Sequence, residues 1–159
     1  MDAAYAGMFE RYGDMVLRLA TARTGNKYDA EDLLQEVFVR LVKYAPELQS
    51  EEHKKAWLIR TTLNCAASFK KSAWKRKQIP SENVGVFPAS PQKSGGNEVV
   101  FDAVMALPER YRTVIHLFYY EELSTAEIAK VMDTSDGAVR TLLNRARGKL
   151  KKTLGDETL

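Results

Sequence analysis

Thiol chemistry is almost absent from this chain. Cys65 is its one cysteine, which excludes an intramolecular disulfide and a thiolate metal cluster. Histidine is nearly as scarce. His53 and His116 lie far apart, and His116 sits inside an apolar run that reads as core. No phosphate-cradling glycine loop, metal-ligand spacing or G-x-S-x-G elbow occurs. The chain is therefore expected not to be an enzyme, with no catalytic residues, no cofactor, no metal and no small-molecule substrate. No apolar run is long enough to cross a bilayer, and Met1-Asp2 opens no signal peptide. A cytoplasmic protein without direct membrane insertion is expected.

Charge of one sign is also missing, in two places. From His53 through Gln78 there is no acid, while Lys54, Lys55, Arg60, Lys70, Lys71, Lys75, Arg76 and Lys77 are all basic. From Gly137 through Gly155 acids are absent again, whereas residues 1–52 lean acidic. The net charge of +3 hides this segregation. Two basic blocks beside an acidic one suggest a nucleic-acid ligand and a separate protein contact.

What is present is helical periodicity. In STAEIAKVMDTSDGAVRTLLNRARGKLKK (124–152), Ile128, Ala129, Val131 and Met132 form one apolar set. Val139, Leu142, Leu143 and Ala146 form the next. Asp133-Thr134-Ser135 divides them, and either Thr134 or Ser135 can cap a new helix. Asp133 occupies the place where a turn favours glycine, and Asp tolerates left-handed backbone. This pattern predicts a helix-turn-helix. Its second helix carries Arg140, Thr141, Asn144, Arg145 and Arg147, which suit base edges and phosphates. The plain alternative is a helical hairpin with a basic solvated face.

The rest of the chain also reads as helices. Ala3 to Thr24 carries Tyr5, Phe9, Tyr12, Val16, Leu19 and Ala20 as one stripe, closed by Thr24-Gly25-Asn26. A second helix is expected to begin at Asp29 as cap, burying Ala30, Leu33, Leu34, Val37, Phe38 and Leu41. Asp32, Gln35, Glu36, Val39 and Arg40 fall on its other side, and Pro46 ends the segment. After a polar loop, 47–55, a third helix is expected from about Lys54 to Lys77, with Trp57, Leu58, Thr62, Cys65, Ala66 and Phe69 inward. Residues 79–97 then gather Pro80, Pro88, Pro91, Gly85, Gly95 and Gly96, the composition of a linker. Fully extended, such a linker spans about 60 Å. Helices are expected near 98–106, 108–120, 124–132 and 135–153, with Pro108 in a first turn and Val114, Ile115, Leu117, Phe118 and Leu123 as core. The predicted fold is all-α: two small helical domains, 1–78 and 98–159, joined by a flexible linker, 79–97, the second domain a helix-turn-helix.

Spacing alone leaves the Asp32, Gln35 and Glu36 stripe an ordinary solvated face. The basic run Lys70 to Lys77, interleaved with Trp74, can neutralise several phosphates. Asn64 is an isolated amide that can pair with an unstacked base.

Taken together the two halves resemble a sigma factor of the extracytoplasmic-function group of the sigma-70 family. DAEDLLQEVFVRL and AWLIRTTLNCA are similar to region 2, and ALPERYRTVIHLFYYEELSTAEIAKVMDTSDGAVRTLLNRARGKL to region 4. The resemblance implies a dissociable RNA polymerase subunit that directs promoter-specific initiation. It implies that Asp32, Gln35 and Glu36 dock on bacterial core RNA polymerase. Asn64, the loop Gln49 to Lys55, and Lys70, Lys71, Lys75, Arg76 and Lys77 would serve the −10 promoter element and its melting. Arg140, Thr141, Asn144 and Arg145 would read the −35 element. An anti-sigma factor is the implied regulator. Three departures stand out. Thr61 replaces a larger apolar residue, Ala138 a threonine and Leu142 a basic residue that would contact phosphate. Two other readings stay open: a stand-alone helix-turn-helix regulator, and a protein-binding mimic that sequesters an anti-sigma factor.

Overall fold

A computed structural model describes the backbone of residues 3–44, 46–76 and 95–155, and the side chains of 5–44, 46–68 and 99–155. The chain divides into two compact units, Met1–Phe87 and Pro88–Leu159. The described residues are helical, without strands. The first unit holds α1 (Ala3–Thr24), α2 (Lys27–Tyr44) and α3 (Glu51–Arg76), each packed on the other two. The second holds α4 (Gly95–Met105), α5 (Glu109–Ile115), a π-helical turn (His116–Tyr120), α6 (Thr125–Val131) and α7 (Asp136–Leu154).

α1 has the expected bounds, and Val16, Leu19 and Ala20 are fully buried on its predicted stripe. Phe9 departs from that stripe: it is 46% exposed, resting edge-on against Phe38. Gly25 ends α1 with a φ of 71°, a conformation that costs glycine nothing. Asn26, expected only to close α1, instead opens α2. Its Oδ1 accepts from the backbone N–H of Tyr28 at 2.8 Å and Asp29 at 3.2 Å. The cap therefore stands three residues before the expected Asp29, which lies inside the first turn. The predicted inward residues Ala30, Leu33, Val37, Phe38 and Leu41 are buried.

α3 starts at Glu51, so most of the expected loop from 47 to 55 is its first turn. Ser50 is the reason: its Oγ accepts from His53 N–H at 3.0 Å. Glu51 also ties α3 to α1. Its carboxylate accepts from Tyr12 Oη and pairs with Lys54 at 3.0 Å and Arg11 at 3.5 Å. The Tyr12 and Lys54 bonds hold the Glu51 carboxyl below the usual carboxylate range. Further along, Leu58, Ile59, Thr62, Cys65 and Ala66 are buried, while Trp57 and Thr61 are half-buried. Burial pushes the Cys65 thiol up, so it remains protonated and packs as a small apolar group.

In the second unit, Gly95, Gly96 and Asn97 belong to α4 rather than to a linker. A first turn tolerates these residues because its amide groups lack intrahelical partners anyway. Residues 79–94 lie outside the described residues. Pro108 precedes α5 as its cap, one residue before the expected position, and its carbonyl accepts from Tyr111 and Arg112. The expected single helix 108–120 changes pitch at His116, where Glu121 N–H reaches back to His116 O at 3.1 Å. His116 is buried as expected, and its Nε2 meets the buried Glu121 Oε2 at 2.7 Å. That contact closes the wider turn over its own backbone bond. Glu122 follows at φ 57°, a left-handed conformation that turns the chain toward α6.

Candidate nucleic-acid interface

The turn between α6 and α7 is built from both of its ends. Ser124 caps α6 through a reciprocal box: its Oγ accepts from Glu127 N–H at 3.1 Å, and Glu127 Oε1 accepts from Ser124 N–H at 3.0 Å. α6 ends in a Schellman turn, with Thr134 N–H bonding Ala129 O at 2.9 Å and Asp133 N–H reaching Lys130 O at 3.4 Å. Asp133 takes φ 56° at the position that such turns usually give to glycine. Ser135, rather than Thr134, caps α7 by accepting from Ala138 N–H at 3.1 Å. Ala138, at the third helical residue, offers no side chain to return the bond.

α7 packs on α4, α5 and α6 through Val139, Leu142, Leu143, Ala146 and Leu150, all buried. Leu142 is therefore a core residue and not a site for phosphate contact. The phase of the helix decides this: 139, 142, 143, 146 and 150 fall on one stripe. Arg140, Thr141, Asn144 and Arg145 are all exposed on the remainder of the helix.

Three of those side chains carry intramolecular contacts. Arg140 Nη2 pairs with Asp136 Oδ2 at 2.9 Å, one turn earlier. Thr141 Oγ1 donates to Gly137 O at 3.0 Å. Asn144 Oδ1 accepts from Arg147 Nη1 at 3.4 Å; Arg is donor-only, so the amide oxygen must face it. Arg147 itself is held by the aromatic turn 28 residues earlier. Its Nε donates to Tyr119 Oη at 2.7 Å, and its guanidinium lies 5.5 Å from the Phe118 ring centre and 5.6 Å from that of Tyr119. Arg147 thus fastens α7 to the π turn instead of standing free on a basic face. Asp136, Tyr119 and Arg147 were not legible as this set. The Asp136 spacing of four from Arg140 was the one available signal.

In the first unit, Asp32, Gln35, Glu36 and Val39 are exposed together along α2. Glu36 Oε1 accepts from Arg40 Nε at 3.1 Å, so the stripe carries an internal ion pair. Asn64 is exposed on α3. α2 packs against α3 within this unit. Of the expected −10 loop, Gln49 and Ser50 remain outside the helix, while residues 51–55 are helical. The side chains of Lys70, Lys71, Lys75 and Arg76, and all of Lys77, lie outside the described residues.

A helix-turn-helix unit that turns a basic helix face outward has the architecture of a DNA-reading protein, and the three-helix unit carries an exposed acidic stripe. Comparison with known proteins gives the same class. The family profile for Sigma-70 region 2 matches residues 8–76, and that for Sigma-70, region 4 matches residues 98–150. The ECF RNA polymerase sigma factor SigW of Bacillus subtilis is 27% identical over 168 residues, spanning 96% of this chain and 90% of SigW. The ECF RNA polymerase sigma factor SigM of the same organism is 28% identical over 91% of each chain. Among solved structures, the sigma factor RpoE of Bartonella quintana, in complex with the anti-sigma factor NepR, has the same fold. Its TM-score is 0.80 at 20% identity, over 98% of this chain and 99% of that one.

The chain belongs to the sigma-70 family, in its extracytoplasmic-function group. It is a dissociable RNA polymerase sigma factor, and the stand-alone regulator is not the favoured reading. Among the described residues, no helix is long and apolar enough to cross a membrane.

Proposed function

We propose that the chain acts in the cytoplasm, without enzymatic activity, by lending promoter specificity to bacterial core RNA polymerase. Its two helical units then divide the promoter between them. Asp32, Gln35 and Glu36 dock on the core enzyme. Arg140, Thr141, Asn144 and Arg145 read the −35 element in the major groove. Asn64 captures an unstacked −10 base, with Lys70, Lys71, Lys75, Arg76 and Lys77 against the adjoining phosphates. An anti-sigma factor holds the free protein in reserve; the Bartonella quintana relative of the same fold was solved with such a partner.

The observation that carries this reading is the helix-turn-helix. α7 buries Val139, Leu142 and Leu143 and so turns Arg140, Thr141, Asn144 and Arg145 outward together. An α-helix fits the major groove, where guanine and adenine present acceptors and donors to such side chains. Melting needs no nucleotide hydrolysis. A site that binds only the extruded base draws the opening equilibrium forward by its differential affinity. The helix-turn-helix supplies only part of the binding energy, since core polymerase and the Asn64 region share it.

Asn64→Ala tests the melting step. Open-complex formation on duplex promoters is expected to fall about tenfold, the weight of one lost base contact. Promoters already melted at the −10 element should lose less, because unpairing has been supplied beforehand. Permanganate footprinting of both templates reads the difference. Equal losses on the two templates would remove Asn64 from melting.

A further inference from the structure

Asp136 is the single acid in α7, whose sequence is DGAVRTLLNRARGKLKKTL. Its position at the first helical residue has an ordinary cause, since an acid there complements the positive end of the helix dipole. That cause does not explain its contact. Asp136 Oδ2 sits 2.9 Å from Arg140 Nη2, with both side chains substantially exposed, and an exposed pair of this kind adds little stability. On a face that approaches phosphates, a carboxylate also opposes binding. Lost affinity without gained stability points toward specificity.

We propose that Asp136 is a specificity-determining residue: it positions the Arg140 guanidinium for one guanine of the upstream element. The proposal rests on the reading of α7 as the base-reading helix. A guanidinium is planar and carries five N–H donors. The Asp136 carboxylate, 2.9 Å from Nη2, is an ion-pair partner that draws the guanidinium toward the first turn of α7. The guanidinium N–H donors remain available, and two parallel ones match guanine O6 and N7. Without its partner, Arg140 is a long free side chain that can swing to a phosphate, a contact blind to sequence. The carboxylate disfavours that alternative by repelling the phosphate, so discrimination rises as sequence-neutral affinity falls.

The test uses the full chain reconstituted with core RNA polymerase and promoters whose upstream positions are varied one at a time. Arg140→Ala should flatten the preference at one position. Asp136→Ala should weaken that same preference about fivefold. It should also raise initiation from scrambled upstream elements about threefold, since one repulsive charge is gone. In the Arg140→Ala background it should change the preference no further. Asp136→Glu keeps the negative charge and should retain most of the preference, whereas Asp136→Asn, which removes the charge, should behave like Asp136→Ala. A role confined to folding predicts lower initiation on all templates alike and a lower thermal midpoint, and that result overturns the proposal. If Arg140→Ala flattens a position while Asp136→Ala leaves it intact, the proposal falls and the reading of α7 stands. If Arg140→Ala alters no position, the reading of α7 falls and takes the proposal with it.

Discussion

Glu36→Lys is expected to release the chain from core RNA polymerase while leaving its helices intact. Glu36 is exposed on α2 beside Asp32 and Gln35, and its one described bond is to Arg40. Losing that pair removes about 0.3–0.5 kcal/mol, and the new Lys–Arg neighbourhood adds a penalty of similar size. The fold can absorb such a change, because domains of this size have roughly 5–15 kcal/mol in hand. Docking cannot absorb it so easily. Reversing a charge at a complementary contact costs about 2–5 kcal/mol, which is at least thirtyfold in affinity. Pull-down with core polymerase, beside a circular-dichroism melt, separates the two effects. Unchanged capture by core would remove Glu36 from the docking face. The Arg40 pair adds a corollary: docking must compete with a neighbour that already holds one carboxylate oxygen.

Leu142→Arg should unfold the second unit rather than strengthen DNA binding. A basic residue at this place, as the family resemblance suggests, would be a phosphate contact if the position faced outward. It does not: Leu142 is 8% exposed and lies on the stripe that meets α4, α5 and α6. Removing a buried leucine costs about 2–5 kcal/mol, only partly recovered when the arginine stem extends toward water. That is a large share of the stability of a small helical unit. Both tryptophans, Trp57 and Trp74, belong to the first unit, so their fluorescence in urea should report a normal transition there. Far-UV circular dichroism should show the second unit melting early. Wild-type melting combined with tighter DNA binding would put position 142 on the outer face instead.

The sequence revealed those features whose causes are local. The α1 bounds followed from one apolar stripe and a glycine stop. The α6–α7 turn followed from a left-handed position filled by Asp133 and a cap at Ser135. Leu142 was legible as core from its helical phase, while family resemblance pointed to the opposite face; the phase was the better guide. Where several polar residues adjoin, capping is nearly degenerate, and there the boundaries moved: Asn26 took the cap expected at Asp29, and Ser50 started α3 before the expected Lys54. Contacts closed by tertiary packing had no local signal. The π turn depends on two residues, His116 and Glu121, meeting in a buried space. The hold of Tyr119 on Arg147 spans 28 residues and removes one arginine from the free basic face. The acidic stripe was visible in pattern, but spacing alone does not separate a docking face from ordinary solvated surface, and a docking role for it is what the family resemblance implies.

The sigma-factor assignment is tested most directly by run-off transcription with purified core RNA polymerase over a genomic fragment library, with and without the full chain. Discrete start sites should appear only when the chain is present, and their upstream regions should align on two short elements separated by a constant spacing. No chain-dependent start site, together with tight sequence-specific binding to duplex DNA in the absence of polymerase, would contradict it.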